Sequence, residues 1–197
     1  MSKPVPEAVN IHGSRVRDSR LEFACNAALV IGASLFIALC AHITIPLMPL
    51  TPVPLTAQNF GVLLVGLFLG SRRGFAALVL YLLEGAAGLP VFNPAGPGGF
   101  AQLFGPTGGF LLVYPLVALV AGYIFERGAK TFARAAISAV AGEILLFVGG
   151  LTWLYALTHS LAKAAYLGLY WFIAAEVIKI MFAAAIASRW MQRAKAH

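Results

Sequence analysis

Glu176 and Lys179 stand three residues apart in the stretch AAEVIKIM, inside an otherwise apolar run near the end of this 197-residue chain. On a helix, residues at that spacing share a face about one turn long. A charge left alone in a membrane core costs on the order of 3 kcal/mol on insertion scales, so both groups must face a bundle interior or a polar cavity. Two chemistries fit. The pair can satisfy itself and fix the orientation of its helix, although a buried ion pair is a poor source of stability. Or it can hold an acceptor and a donor side by side for a polar ligand.

Other polar residues sit where they could join such a site. Glu143, in AGEILLF, is a second carboxylate within an apolar run, and Glu84 is a third, just before a stretch rich in glycine and proline. Gln58, Asn59, Asn93 and Gln102 are neutral amides, each able to donate and to accept. Tyr81, Phe92, Phe100, Phe104, Tyr114, Trp153 and Trp171 could supply apolar walls, although aromatics near membrane ends also serve as interfacial anchors. Packing or interfacial roles compete with ligand contact for each of these residues.

Several chemistries find no support. His12, His42, His159 and His197 are scattered without metal-ligand spacing, so no metal site is expected. Cys25 and Cys40 fall on one expected helix, more than about 20 Å apart at 1.5 Å per residue, beyond disulfide reach. No glycine-rich phosphate loop occurs, so the chain is not expected to hydrolyse ATP itself. No nucleophile and base stand at a recognisable spacing; neither an enzyme nor a bound cofactor is expected.

The elements that must position the polar residues follow from composition. Sixty per cent of residues are hydrophobic and 11% charged, the balance of a polytopic all-α membrane protein. Six transmembrane helices are expected: Phe23 to Leu47, Thr56 to Gly70, Gly74 to Gly88, Gly108 to Phe125, Ala133 to Tyr155, and Ala164 to Trp190. They make a transmembrane domain over 23–190, flanked by an N-terminal tail, 1–22, and a C-terminal tail, 191–197. The first tail is expected to be a mobile segment or a short interfacial helix.

Twelve of the fourteen Lys and Arg residues lie in the segments that share a side with the N-terminus; the exceptions are Lys163 and Lys179. The positive-inside rule therefore puts both termini in the cytoplasm and assigns the net charge of +7 to topology, with no nucleic-acid partner. The same topology puts the link Pro46 to Pro54 and the loop 89–107 on the outer face. From Gly88 to Phe110, eleven of twenty-three residues are Gly or Pro and none is charged. Such a segment cannot be a spanning helix and is too apolar for a solvated linker. Irregular backbone of this kind between spans lines a cavity or packs as a re-entrant turn. Ala24, Ala28 and Gly32 share one face of the first span, and Gly66 and Gly70 form a small pair in the second. Small faces let helices approach closely, within the bundle or against a partner.

Three ordered motifs, PVPLTAQNFGVLLVGLFLG (52–70), GLPVF (88–92) and GPTGGF (105–110), resemble the BioY family over about 24–187. These are the biotin-binding S components of energy-coupling factor (ECF) vitamin transporters. The resemblance implies six helices with a substrate pocket near the outer face, in a bacterial cytoplasmic membrane. It also implies as partners a transmembrane T component and two cytoplasmic ATPases, which would account for the missing nucleotide motif. The T component is engaged through small residues of the first helix, where Ala24, Ala28 and Gly32 match. Family members carry Asp, three residues before Lys, after Pro-Gly on the last helix; here these are Glu176, Lys179, and Ala174 with Ala175. Asn93 falls in the region that supplies a pocket amide.

Biotin as transported substrate suits these residues chemically. Its ureido ring presents N–H donors beside a carbonyl acceptor, so Glu176 is expected to take an N–H and Lys179 to serve the carbonyl, with Asn93 in support. Gln58, Tyr114 and Gln102 complete the expected pocket, and the third to fifth spans supply apolar walls. The valerate carboxylate has Lys163, loop N–H groups or, in a reversed orientation, Lys179 as its candidates. The alternative is a solitary ion-coupled secondary transporter using Glu143, Glu176 and Lys179 as a relay.

Overall fold

The computed structural model describes residues 11–196. Residues 1–10 of the expected N-terminal tail, and His197, lie outside the described residues. From Ile11 the chain is already helical, and helix α1 runs through Ile11–His42. It stops short of Leu47, where the first span was expected to end. Pro46 explains this, since proline supplies no backbone donor and forces the residue before it out of the helical region. Instead β1 (Thr44–Ile45) pairs antiparallel with β2 (Leu55–Thr56), and the proline-rich link lies between them.

Helix α2, Gln58–Ala86, contains both the second and the third expected spans. It is continuous except at Gly70, whose φ of 77° and ψ of −178° are not helical. Gln58 Nε2 nevertheless donates to Tyr81 Oη at 2.6 Å. In a straight helix residues 23 apart would be about 34 Å apart, so α2 is folded back on itself at Gly70. Only glycine fits there: the φ is positive, and a Cβ would lie 2.5 Å from Glu126 Oε2. The break leaves Ser71 with a backbone donor that has no helical acceptor. Glu126 accepts from Ser71 N at 3.0 Å and from Ser71 Oγ at 2.7 Å, capping the second arm.

The Gly/Pro loop holds one short helix, α3 (Gly99–Gln102), and leads into α4 (Gly108–Glu126) and α5 (Phe132–Thr158). The expected last span, Ala164 to Trp190, is not one helix. It is α6 (Leu161–Ala165), a π-helical turn (Tyr166–Tyr170) and α7 (Ile173–Ala196), with a bend of 46° between the two halves. The turn is held from outside: Thr51 Oγ1 donates to the Leu167 carbonyl at 2.7 Å. Gly168 also packs so closely that a Cβ would run into Leu154 Cδ1.

Among the described residues four helices are long and apolar enough to cross a membrane, and the bent pair makes a fifth candidate. Helices α2, α4, α5 and α7 close into a ring, each packed on the next, and α1 lies outside against α2. Small residues let the ring tighten: a Cβ on Gly66 would lie 2.7 Å from the Ala118 carbonyl oxygen. Val62, Leu63, Leu78, Val117 and Phe125 fill the centre. Leu35, Leu39, Ile137, Ile144, Ile178 and Phe182 point outward, as lipid-facing side chains of a multi-pass protein do.

Hydrogen bonds identify the two ends of the bundle. At one, the Glu126 cap on Ser71 brings Arg72 and Arg73 to the α4–α5 turn, and Gln192 Nε2 donates to the Lys130 carbonyl at 3.3 Å. At the other, the loop meets the bundle: Trp153 Nε1 donates to the Gly105 carbonyl at 2.9 Å, and Tyr81 Oη to the Val91 carbonyl at 3.1 Å.

Candidate functional site

The ring of helices encloses a cavity of about 60 Å³ whose lining includes all six expected pocket residues: Gln58, Asn93, Gln102, Tyr114, Glu176 and Lys179. Its polar floor, Asn59, Glu176 and Lys179, belongs to a connected cluster that reaches Glu143 behind it. Lys179 Nζ donates to Glu176 Oε1 and to Asn59 Oδ1, each at 2.8 Å. Asn59 Nδ2 donates to Glu176 Oε2 and, at 2.8 Å, to Glu143 Oε1. Glu176, Asn59 and Glu143 are each about 95% buried. Helix α2 contributes Asn59, α5 Glu143, and α7 both Glu176 and Lys179, so the cluster ties the ring together where it encloses the cavity.

Asn59 is the residue that sequence reasoning undervalued. In the sequence it is one neutral amide among four candidates, but it sits at the centre, with every amide proton and its carbonyl oxygen engaged. Its neighbour in sequence, Gln58, turns to Tyr81 instead. Asn93 and Gln102 shape the roof. Asn93 Oδ1 accepts from Ala95 N at 2.8 Å, while Gln102 Oε1 accepts from Gly98 N at 3.1 Å and Gln102 Nε2 donates to the Asn93 carbonyl at 3.3 Å. The Asn93 amide protons stay available for a ligand acceptor.

The walls are Phe110, Tyr114, Phe147 and Phe172, with Leu111 and Leu146. Among them only Tyr114 was an expected candidate; an aromatic inside a uniformly apolar span carries no mark of which way it faces. The other aromatic candidates do different work. Phe92 packs edge-on against Tyr81, Trp153 anchors the loop, Trp171 stacks edge-on with Tyr166 and Tyr170, and Phe100 and Phe104 are more than half exposed. Glu84 accepts from Ser34 Oγ on α1, away from the cluster. Lys163 is exposed and absent from the lining.

Above this cavity lies a second, of about 300 Å³, bounded by the proline link and the Gly/Pro loop and sharing Pro54, Asn93, Gln102 and Thr107 with the first. A third space is a groove of about 360 Å³ on the outside of the bundle, formed by Ala28, Gly32, Ala33 and Phe36 of α1 with Leu64, Val65, Phe68 and Leu69 of α2. Ala24, Ala28 and Gly32 are exposed, and a Cβ on Gly32 would meet nothing within 4 Å. Among the described residues that small face is therefore not used for packing within the chain.

Fold and site together define a multi-pass membrane protein that holds a small-molecule cavity within its helices. The chain belongs to the BioY family, whose description matches residues 12–196. It is 36% identical, over 157 residues, to the probable biotin transporter BioY of Pyrococcus horikoshii, a match that covers 79% of this chain and 91% of that one. It is 40% identical, over 142 residues, to the biotin transporter BioY of Thermotoga maritima, covering 72% and 83%. Both names describe transport, a non-enzymatic function. The fold is similar to a crystal structure of the S-component for biotin from an ECF-type ABC transporter, with a TM-score of 0.78 over 87% of this chain and 93% of that one, at 23% identity.

Proposed function

We propose that this chain captures biotin at the outer face of a bacterial cytoplasmic membrane and hands it inward as the substrate-specific subunit of an ECF-type transporter. The observation that carries the reading is the unused bonding capacity of the Glu176–Lys179 pair. Each Glu176 oxygen accepts one bond and has room for another, and Lys179 has used two of its three donors. What remains is an acceptor beside a donor. One edge of a cyclic urea presents the complement, an N–H beside a carbonyl oxygen. The Asn93 amide supplies a further donor, and Phe110, Phe147 and Phe172 suit the thioether ring and alkyl chain.

In this reading the two arms of α2 count separately, giving six membrane segments. The Arg72 and Arg127 end is cytoplasmic and the cavity opens outward under the link and the loop. Ring inward and tail outward, the ligand puts its carboxylate in the upper cavity, near loop N–H groups. The exposed Ala24, Ala28 and Gly32 face, with the groove beside it, suits a T component that brings two ATPases.

The test is a titration of labelled biotin into detergent-purified wild type, Glu176→Ala and Lys179→Ala, with thiamine and riboflavin as controls. Tight biotin binding in the wild type, lost in both variants, is the expected result. Binding that survives both substitutions removes the pocket assignment. A folded wild type that binds no biotin, in cells whose uptake collapses with an uncoupler, would instead favour an ion-coupled carrier.

A further inference from the structure

The cluster at the cavity floor holds two carboxyl groups and one ammonium. Lys179 makes its salt bridge with Glu176, at 2.8 Å, and a second bond to Asn59; it makes none to Glu143. Glu143 is 4% exposed, its Oε1 accepts from Asn59, and its Oε2 is buried with no hydrogen-bond partner. Ionised, it would be an unpaired charge with an orphaned acceptor, beside a second carboxylate that shares its donor. Protonated, Glu143 carries no charge that needs a partner, and its Oε1 remains the acceptor for Asn59.

The arrangement also fixes Asn59. Both amide protons point at carboxyl oxygens and the carbonyl oxygen receives Lys179, so a flipped amide would face two acceptors with a third. We propose that Glu143 is a positioning residue that bears a proton and, as a neutral acid, holds Asn59 in the ligand cavity. Ligand affinity then falls as rising pH removes that proton. The inference rests on the biotin reading for its ligand, though not for the proton. The loss has a simple cause: a second negative charge at the floor competes for the ammonium that the ligand carbonyl needs. Facing Glu143 are Glu176 and Lys179 from α7 and the Tyr114 hydroxyl from α4, while α2 presents the neutral Asn59 amide.

Two readouts on the purified full chain test this. In infrared spectra of the ligand-free protein, the carbonyl stretch of a protonated carboxylic acid, shifted in D2O, is expected in wild type and absent from Glu143→Gln. In biotin titrations against pH, Glu143→Gln keeps the amide acceptor without the charge. It is expected to match wild type at neutral pH within about threefold, and to lose the part of the alkaline decline that wild type shows beyond it. Lys179, Glu176 and Tyr114 are common to both proteins, so the difference between the profiles isolates Glu143. Glu143→Ala, which drops the bond to Asn59, is expected to bind about tenfold more weakly at every pH.

Absence of the acid band from wild type, superimposable pH profiles, or a folded Glu143→Gln that binds more than about tenfold more weakly at neutral pH would each overturn the proposal. So would affinity that follows Na+ or K+ concentration at constant pH, because the extra carboxylate would then hold a metal cation. Should wild type bind no biotin at any pH, the functional reading fails while the infrared band still decides the protonation of Glu143.

Discussion

Glu176 and Lys179 have two consequences that mutation can separate. Removing Lys179 leaves a carboxylate about 95% buried with only an amide to support it, a loss on the order of 3–5 kcal/mol where one partner of a buried pair is deleted. Lys179→Ala alone therefore confounds stability with binding. The double variant Glu176→Gln/Lys179→Met removes both charges together. It is expected to melt close to wild type and well above Lys179→Ala in a thermal-shift assay, yet to bind no biotin. A double variant that still binds would take the pair out of recognition.

The pair was legible in the sequence because an ionisable residue in an apolar run needs a reason to be there. Asn59 was not, since a lone amide near a span end costs little on the surface and betrays nothing of its partners. Its three bonds come from residues 84, 117 and 120 positions away, a coincidence only the folded chain creates.

At the scale of elements, the hairpin within α2 is what brings Gln58, Tyr81 and the loop together. It depends on one residue. Gly70→Ala must either abandon the positive φ or push against Glu126, at an expected cost of about 1–3 kcal/mol. The measurable outcome is a lower melting temperature together with loss of protection of the Ser71 amide in hydrogen exchange. Unchanged melting would mean that the break is not strained by a side chain.

The sequence announced this turn through Gly70, Arg72, Arg73 and Gly74, a short polar interruption between apolar runs. It suggested a loop of several residues; a single glycine with a carboxylate cap does the job, so helical bonding resumes at once. The bend between α6 and α7 was hidden for a different reason. Its residues, Tyr166 to Phe172, are good membrane-helix residues, and the π-helical turn owes its form to Thr51, far away in sequence, and to Leu154 on α5. The early end of α1, by contrast, could have been read from Pro46.

For the whole molecule the surface to test is the groove between α1 and α2. Its small face is exposed, and Gly32 has open space where a side chain would go. Gly32→Leu is therefore expected to leave the melting temperature and biotin affinity of the isolated protein unchanged. Uptake by cells that carry the coupling subunits should drop by about tenfold or more, the order of magnitude for a blocked helix interface. Wild-type uptake in this variant would place the partner elsewhere.

The two covers over the cavity are held by neutral hydrogen bonds to backbone carbonyls, the link by Thr51 to Leu167 and the loop by Trp153 to Gly105 and Tyr81 to Val91. Such a bond is worth about 0.5–1.5 kcal/mol, so the link's latch alone favours the shut position by a factor of about ten at most. The link is therefore the lighter of the two covers, the one expected to lift first. If biotin binds as proposed, the time a captured molecule dwells inside is then expected to be governed from below, by how slowly the floor lets go, so that a vitamin far below saturation is sampled quickly without being surrendered quickly.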